Sequence, residues 1–217
     1  MVRLVCFDFD GVIAQTEGQH TKWLMEDLDK AGVTYTKEKL CTIMGGNMLV
    51  HVKLMDEAFG DQDNYRKNRE EINRRKYRKY DLKALKSPHV TELMEKLQEN
   101  NIKICVCSNS EKARVINCLE ELELTSYVTG VYGGTDCGHT KPDPFIYIQA
   151  MKDNNISPED TIVIEDSTAG IKAGVASGAY VIAYKDAYDI ADQHEANVIV
   201  NNFIEAEKYI LKAGEEE

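Results

Sequence analysis

Four segments of the chain are apolar almost without interruption: RLVCFDF at 3–9, IKICVCS at 102–108, TIVIED at 161–166 and YVIAY at 180–184. A shorter fifth, NVIV, follows at 197–200. A strand with one wet face would place a polar residue at every second position. Unbroken apolar strands belong to parallel sheets covered by helices on both faces. Helical spacing fills the intervals at 89–101, 111–124, 143–155 and 168–178. This alternation predicts an α/β fold, a doubly wound parallel sheet. In such sheets ligands collect beyond the carboxyl ends of the strands.

The stretch from 15 to 83 departs from this rhythm. It reads as helices at 17–32, 47–60 and 63–82 with no convincing strand, and it is too long for a simple crossover. The expected organisation is a core of residues 1–14 and 84–217, with 15–83 inserted as an all-helical cap. Residues 11–18 and 80–88 serve as the two hinges, and Trp23 is expected in the cap core.

Composition narrows the possibilities. With 43% hydrophobic and 29% charged residues among 217, the chain is an ordinary globular protein. A net charge of −11 argues against nucleic acid or an anionic membrane as partner. The basic run at 65–86 is expected to be a solvated helix face, with Arg74, Arg75, Lys76 or Arg78 as the residues that could turn toward a cleft. None of the six cysteines forms a CxxC pair, so reduced thiols are expected. No apolar run approaches the ~18 residues of a membrane span, and the first residues already read as a strand. The expected setting is the cytoplasm, and the default expectation is a monomer.

The strand ends carry the chemistry. The first delivers Asp8 and Asp10, followed by Gly11; the second ends in Ser108, with Asn109 next; the strand at 161–166 ends in Glu165 and Asp166; Lys141 stands in the loop sequence GHTKPDP. Two carboxylates two residues apart are costly to bury unless a cation joins them. DFDGV, VCSNS, KPDP and IEDSTAGIKAG, in this order and spanning nearly the whole chain, resemble the haloacid dehalogenase superfamily of phosphotransferases. The insertion after the first motif is similar to the helical cap shared by β-phosphoglucomutase and many small phosphatases.

The resemblance implies a Mg2+-dependent phosphatase acting on a small phosphorylated metabolite, most simply a sugar phosphate, through an aspartyl-phosphate on Asp8. It implies Asp10 as general acid and base and Lys141 as the cation beside the transferring oxygens. Asp8, the Asp10 main-chain carbonyl, Asp166 and Glu165 are the implied metal ligands. Ser108, the Asn109 amide and Gly11 are implied around the phosphate. Thr16 and His20 match hinge positions of the β-phosphoglucomutase-like group, and Asn47 in MGGN is a candidate substrate contact. The alternative is β-phosphoglucomutase itself. Its loop arginine for a second phosphate has no counterpart in CTIMGGNMLVHVKLM, which puts hydrolysis ahead. A signalling receiver domain shares the sheet and the acidic cluster, but it is shorter, lacks a cap and carries no DxD on the first strand.

Overall fold

The computed structural model describes residues 1–43, 48–74 and 79–212. Six strands form one sheet: β1 (Leu4–Phe7), β2 (Lys103–Ser108), β3 (Gly130–Gly133), β4 (Thr161–Glu165), β5 (Tyr180–Tyr184) and β6 (Val198–Val200). Their order is β3-β2-β1-β4-β5-β6 and every neighbouring pair is parallel. The expected doubly wound α/β sheet is therefore present.

The apolar runs work as the pattern implied. Along β1, Val5 and Phe7 point to one face while Leu4 and Cys6 point to the other, and all four are buried. β2 repeats this with Ile104 and Val106 opposite Cys105 and Cys107. One face is covered by α5 (Val90–Glu99), α6 (Lys112–Glu121) and α10 (Phe203–Lys212), and the other by α8 (Phe145–Asn154) and α9 (Thr168–Ala176). All six cysteines are free thiols. Among the described residues no helix is long and apolar enough to cross a membrane.

Between β1 and β2 the chain forms a helical cap: α1 (Thr16–Ala31), α2 (Lys37–Cys41), α3 (Met48–Phe59) and α4 (Asp63–Arg74). It has its own core, with Leu24, Leu28, Leu40, Met55, Phe59, Tyr65 and Ile72 buried together. The helix expected over 63–82 is shorter than its pattern. α4 is described over Asp63–Arg74, and residues 79–82 are non-helical, with the Tyr80 ring against His20 and Trp23 of α1. Arg66 pairs with Asp63, and Arg69 with Asp56, so these cations meet the helices' own acids. Arg74 is exposed, while Arg75, Lys76 and Arg78 lie outside the described residues.

The two crossings between cap and sheet are stitched to one another. Gln15 Nε2 donates to the Gly11 carbonyl (2.9 Å) and to Ser87 Oγ (2.8 Å), and Ser87 Oγ donates to the Val12 carbonyl (2.6 Å). Backbone bonds from Gln15 N to Leu85 O and from Ser87 N to Ile13 O complete the join. A short α7 (Gly134–Cys137) follows β3 and leads into the KPDP loop.

Candidate active site

The sheet order reverses between β1 and β4, and this is where such sheets bind ligands. Asp8 leaves the end of β1, Glu165 ends β4 and Asp166 follows it, so the two acidic motifs become neighbours across one ladder. One carboxylate oxygen from each of Asp8, Glu165 and Asp166 lies within 4.8 Å of the others.

Lys141 reaches this cluster from the loop before α8. All three ammonium donors are used: one to Asp8 Oδ1 at 2.5 Å, one to the Cys107 carbonyl at 2.7 Å and one to Glu165 Oε1. Burial opposes its charge, but the two carboxylates outweigh that and hold the lysine above its usual range. Burial raises the Asp8 carboxyl to about 8, with Lys141 pulling the other way and Glu165 adding to the rise. Asp166 is also pushed well above the carboxylate range, first by burial and then by Asp8 and Glu165. One buried lysine does not balance three buried acids, and a further cation would relieve the excess.

The residues fit a hard divalent ion, which takes carboxylate oxygens. Gly11 makes room for the closest approach. It adopts φ +101°, and a β-carbon there would stand 1.9 Å from Asp166 Oδ2. Glu165 is held differently. Oε1 also accepts from the buried Tyr147 hydroxyl at 2.6 Å, and Oε2 accepts from the Ser167 hydroxyl at 3.2 Å. A β-carbon on Gly170 would lie about 2.0 Å from this carboxylate, so the first turn of α9 closes onto it.

Asp10 lies apart from that cluster. Its carboxylate accepts from Thr16 Oγ1 (2.6 Å), Ser110 Oγ (3.1 Å), and both terminal nitrogens of Arg114 at 2.8 Å. Burial would raise it, yet Arg114, Thr16 and Ser110 together hold it below the usual carboxylate range. Arg114 also donates to Tyr80 Oη at 3.3 Å, and the Tyr80 ring meets His20 and Trp23. Thr16 and His20 thus sit where the chain passes from the sheet into the cap. Trp23, expected in the cap core, is instead half-buried against His20 and Tyr80 because its indole faces the crossing.

Ser108 is buried at the end of β2, and its Oγ accepts from the Ser110 amide at 3.1 Å. Asn109 Oδ1 accepts from the Lys141 amide at 2.7 Å, which fixes the lysine loop. Asn47 lies outside the described residues. Arg114, Tyr147 and Tyr80 were not singled out in the sequence. EKAR reads as an ordinary first helical turn and DPFIYIQ as a helix face.

The sequence pattern that defines haloacid dehalogenase-like hydrolases matches residues 5–184. A phosphorylated carbohydrates phosphatase of Thermotoga maritima is 26% identical over 174 residues, covering 80% of this chain and 81% of that one. A β-phosphoglucomutase of Bacillus subtilis is 30% identical over 190 residues, covering 83% and 82%. Among solved structures, β-phosphoglucomutase from Clostridium difficile superposes with a TM-score of 0.68 at 22% identity, covering 97% of this chain and all of that one.

Proposed function

The chain belongs to the haloacid dehalogenase-like hydrolases and is an enzyme of their phosphatase type; on that premise we propose that it hydrolyses a small phosphorylated metabolite, a sugar phosphate, through an aspartyl-phosphate on Asp8. The observation that carries this reading is the buried Lys141 bridging Asp8 and Glu165 beside Asp166, at the point where the sheet order reverses.

Asp8 attacks phosphorus, the bond to the leaving oxygen breaks, and Asp10, which takes up a proton once it leaves its pairing with Arg114, passes that proton to the departing oxygen. Water then attacks the aspartyl-phosphate, Asp10 accepts its proton, and the Asp8 carboxylate is regenerated with phosphate. Lys141 offsets the negative charge that gathers on the transferring oxygens. Ser108 and the Asn109 amide take further phosphate oxygens. Mg2+ would be held by Asp8, Asp166 and the Asp10 carbonyl with Glu165 in support, and it supplies Lewis-acid neutralisation of phosphoryl charge. The cap, residues 15–83, closes over the site and excludes bulk water while admitting the one that attacks. The chain works as a monomer in the cytoplasm.

The test is phosphate release from a panel of sugar phosphates, phosphoglycolate, nucleotides and pyrophosphate in Mg2+, with Asp8→Asn as blank. Release from a sugar phosphate is expected to fall at least a thousandfold in Asp8→Asn. Release that survives this change overturns the nucleophile. The Bacillus relative keeps a second reading in view: turnover of β-glucose 1-phosphate without phosphate release would assign a mutase.

A further inference from the structure

The segment that follows β5 joins the cap to Asp166. The buried Asp186 carboxylate accepts backbone N–H bonds from Tyr188, Ile190 and Ala191, each at 2.9 Å, and this folds residues 186–191 into a tight, self-supporting loop. From that loop Ile190, 8% exposed, enters the apolar core of the cap beside the helices, and Tyr188 packs at its edge. Lys37 at the start of α2 donates to the Asp189 carbonyl (2.9 Å) and carboxylate (3.1 Å). Thr168 Oγ1 accepts from the Asp192 amide at 2.8 Å and lies 3.8 Å from Cys41 Sγ of the cap.

The other end of the segment is as firmly placed. Gln193, 8% exposed, uses both side-chain amide protons on main-chain carbonyls: Asp166 at 2.7 Å and Tyr184 at 2.8 Å. Those bonds tie the end of β4 to the end of β5 and fix the peptide that carries the Asp166 carboxylate. Only two residues, Ala191 and Asp192, separate Ile190, seated in the cap, from Gln193 on Asp166.

We propose that residues 186–193 form a strap that couples the seating of the cap to Asp166, with Gln193 the positioning residue for that metal-ligating carboxylate and Ile190 the anchor. Cap seating and divalent-ion binding then favour one another, and by linkage the coupling runs equally in both directions. This rests on the metal-dependent reading above. Groups that orient a ligand typically change metal affinity ten- to hundredfold when removed.

The test is titration calorimetry of the full chain with Mg2+ alone, together with amide hydrogen exchange. Gln193→Leu is expected to weaken Mg2+ binding about tenfold. Ile190→Ala, whose side chain lies in the cap, is expected to weaken it severalfold, and the double variant less than the product of the two. In the wild type Mg2+ is expected to slow exchange at residues 33–43, and in Ile190→Ala this slowing is lost. Should either buried variant fail to fold, Lys37→Ala cuts the strap from the surface and is expected to weaken Mg2+ about twofold. Unchanged Mg2+ affinity in Gln193→Leu, or a loss in Gln193→Leu with none in Ile190→Ala and Lys37→Ala, overturns the strap. Absence of Mg2+ binding by the wild type would instead remove the metal reading beneath it.

Discussion

Asp10 accepts four charged or hydroxyl donors in this structure, and two of them come from one guanidinium. Arg114→Ala leaves the carboxylate with Thr16 and Ser110 alone. As the carboxylate loses its fixed position, the expected result is a fall in kcat/KM of about a hundredfold on an alkyl phosphate, the lower end of the range that general acid–base groups supply. On p-nitrophenyl phosphate, whose leaving group needs no proton, the fall is expected to be smaller. An equal loss on both substrates would count against a role through Asp10. Gly170 makes an opposite kind of prediction. Replacing a helical glycine by alanine ordinarily gains about 1 kcal/mol, yet the new methyl would collide with the Glu165 carboxylate. Gly170→Ala is therefore expected to lower Tm and activity together, measured by thermal melting and phosphate release. At this scale three of the four motifs were legible because each sits at the end of an apolar strand, where topology alone brings it to one edge; the fourth, KPDP, lies in the loop before α8 and was legible from its own sequence. Arg114, Tyr147 and Gln193 were not, because partners 104, 18 and 27 residues away in the chain leave no local signature.

The elements were read from periodicity with uneven success, for physical reasons. β1, β2, β4 and β5 carry the apolar runs that two-sided burial demands, and they stand within two residues of their expected ends. β3 is bounded by glycines, spans only Gly130–Gly133 and sits at a sheet edge, so its sequence never had to be continuously apolar. α2 is a single five-residue helix capped by Thr36, too short for a period to show. In the cap, α3 and α4 are joined by Arg69, which donates to Asp56 at 2.6 and 2.5 Å, and by the Tyr65 hydroxyl at 2.9 Å. These partners hold Asp56 below its ordinary 3.8, with the Arg69 hydrogen bond first among them. A depressed carboxylate stabilises the fold above its unfolded value and loses that contribution as pH falls through the folded one. Asp56→Asn is accordingly expected to melt below the wild type at pH 6, with the gap closing below about pH 3.8. A gap that persists unchanged at lower pH would remove the ionic contribution.

For the molecule as a whole, the excess of buried carboxylates over Lys141 makes the folded state sensitive to divalent cations. An ion that binds only the native chain stabilises it by mass action, about 2.7 kcal/mol at a hundredfold excess over Kd. Mg2+ is expected to raise Tm progressively with concentration and EDTA to reverse the rise, read by calorimetry; a Tm indifferent to Mg2+ would contradict the site. The two-part architecture was visible in the sequence because an uninterrupted helical stretch interrupts an otherwise regular alternation. How the parts touch was not, since Ile190 lies in the last third of the chain and packs among residues of the first. The order of the sheet also has a bearing on synthesis. β1 is translated first but lies between β2 and β4, so half of its ladder waits until Thr161–Glu165 have emerged. At about 5–20 residues per second that is roughly ten seconds or more. A nascent polypeptide therefore carries an unzipped, water-averse ribbon while the locally wired helices behind it are already free to fold, and the surroundings of Asp8 are shaped among the last of its parts.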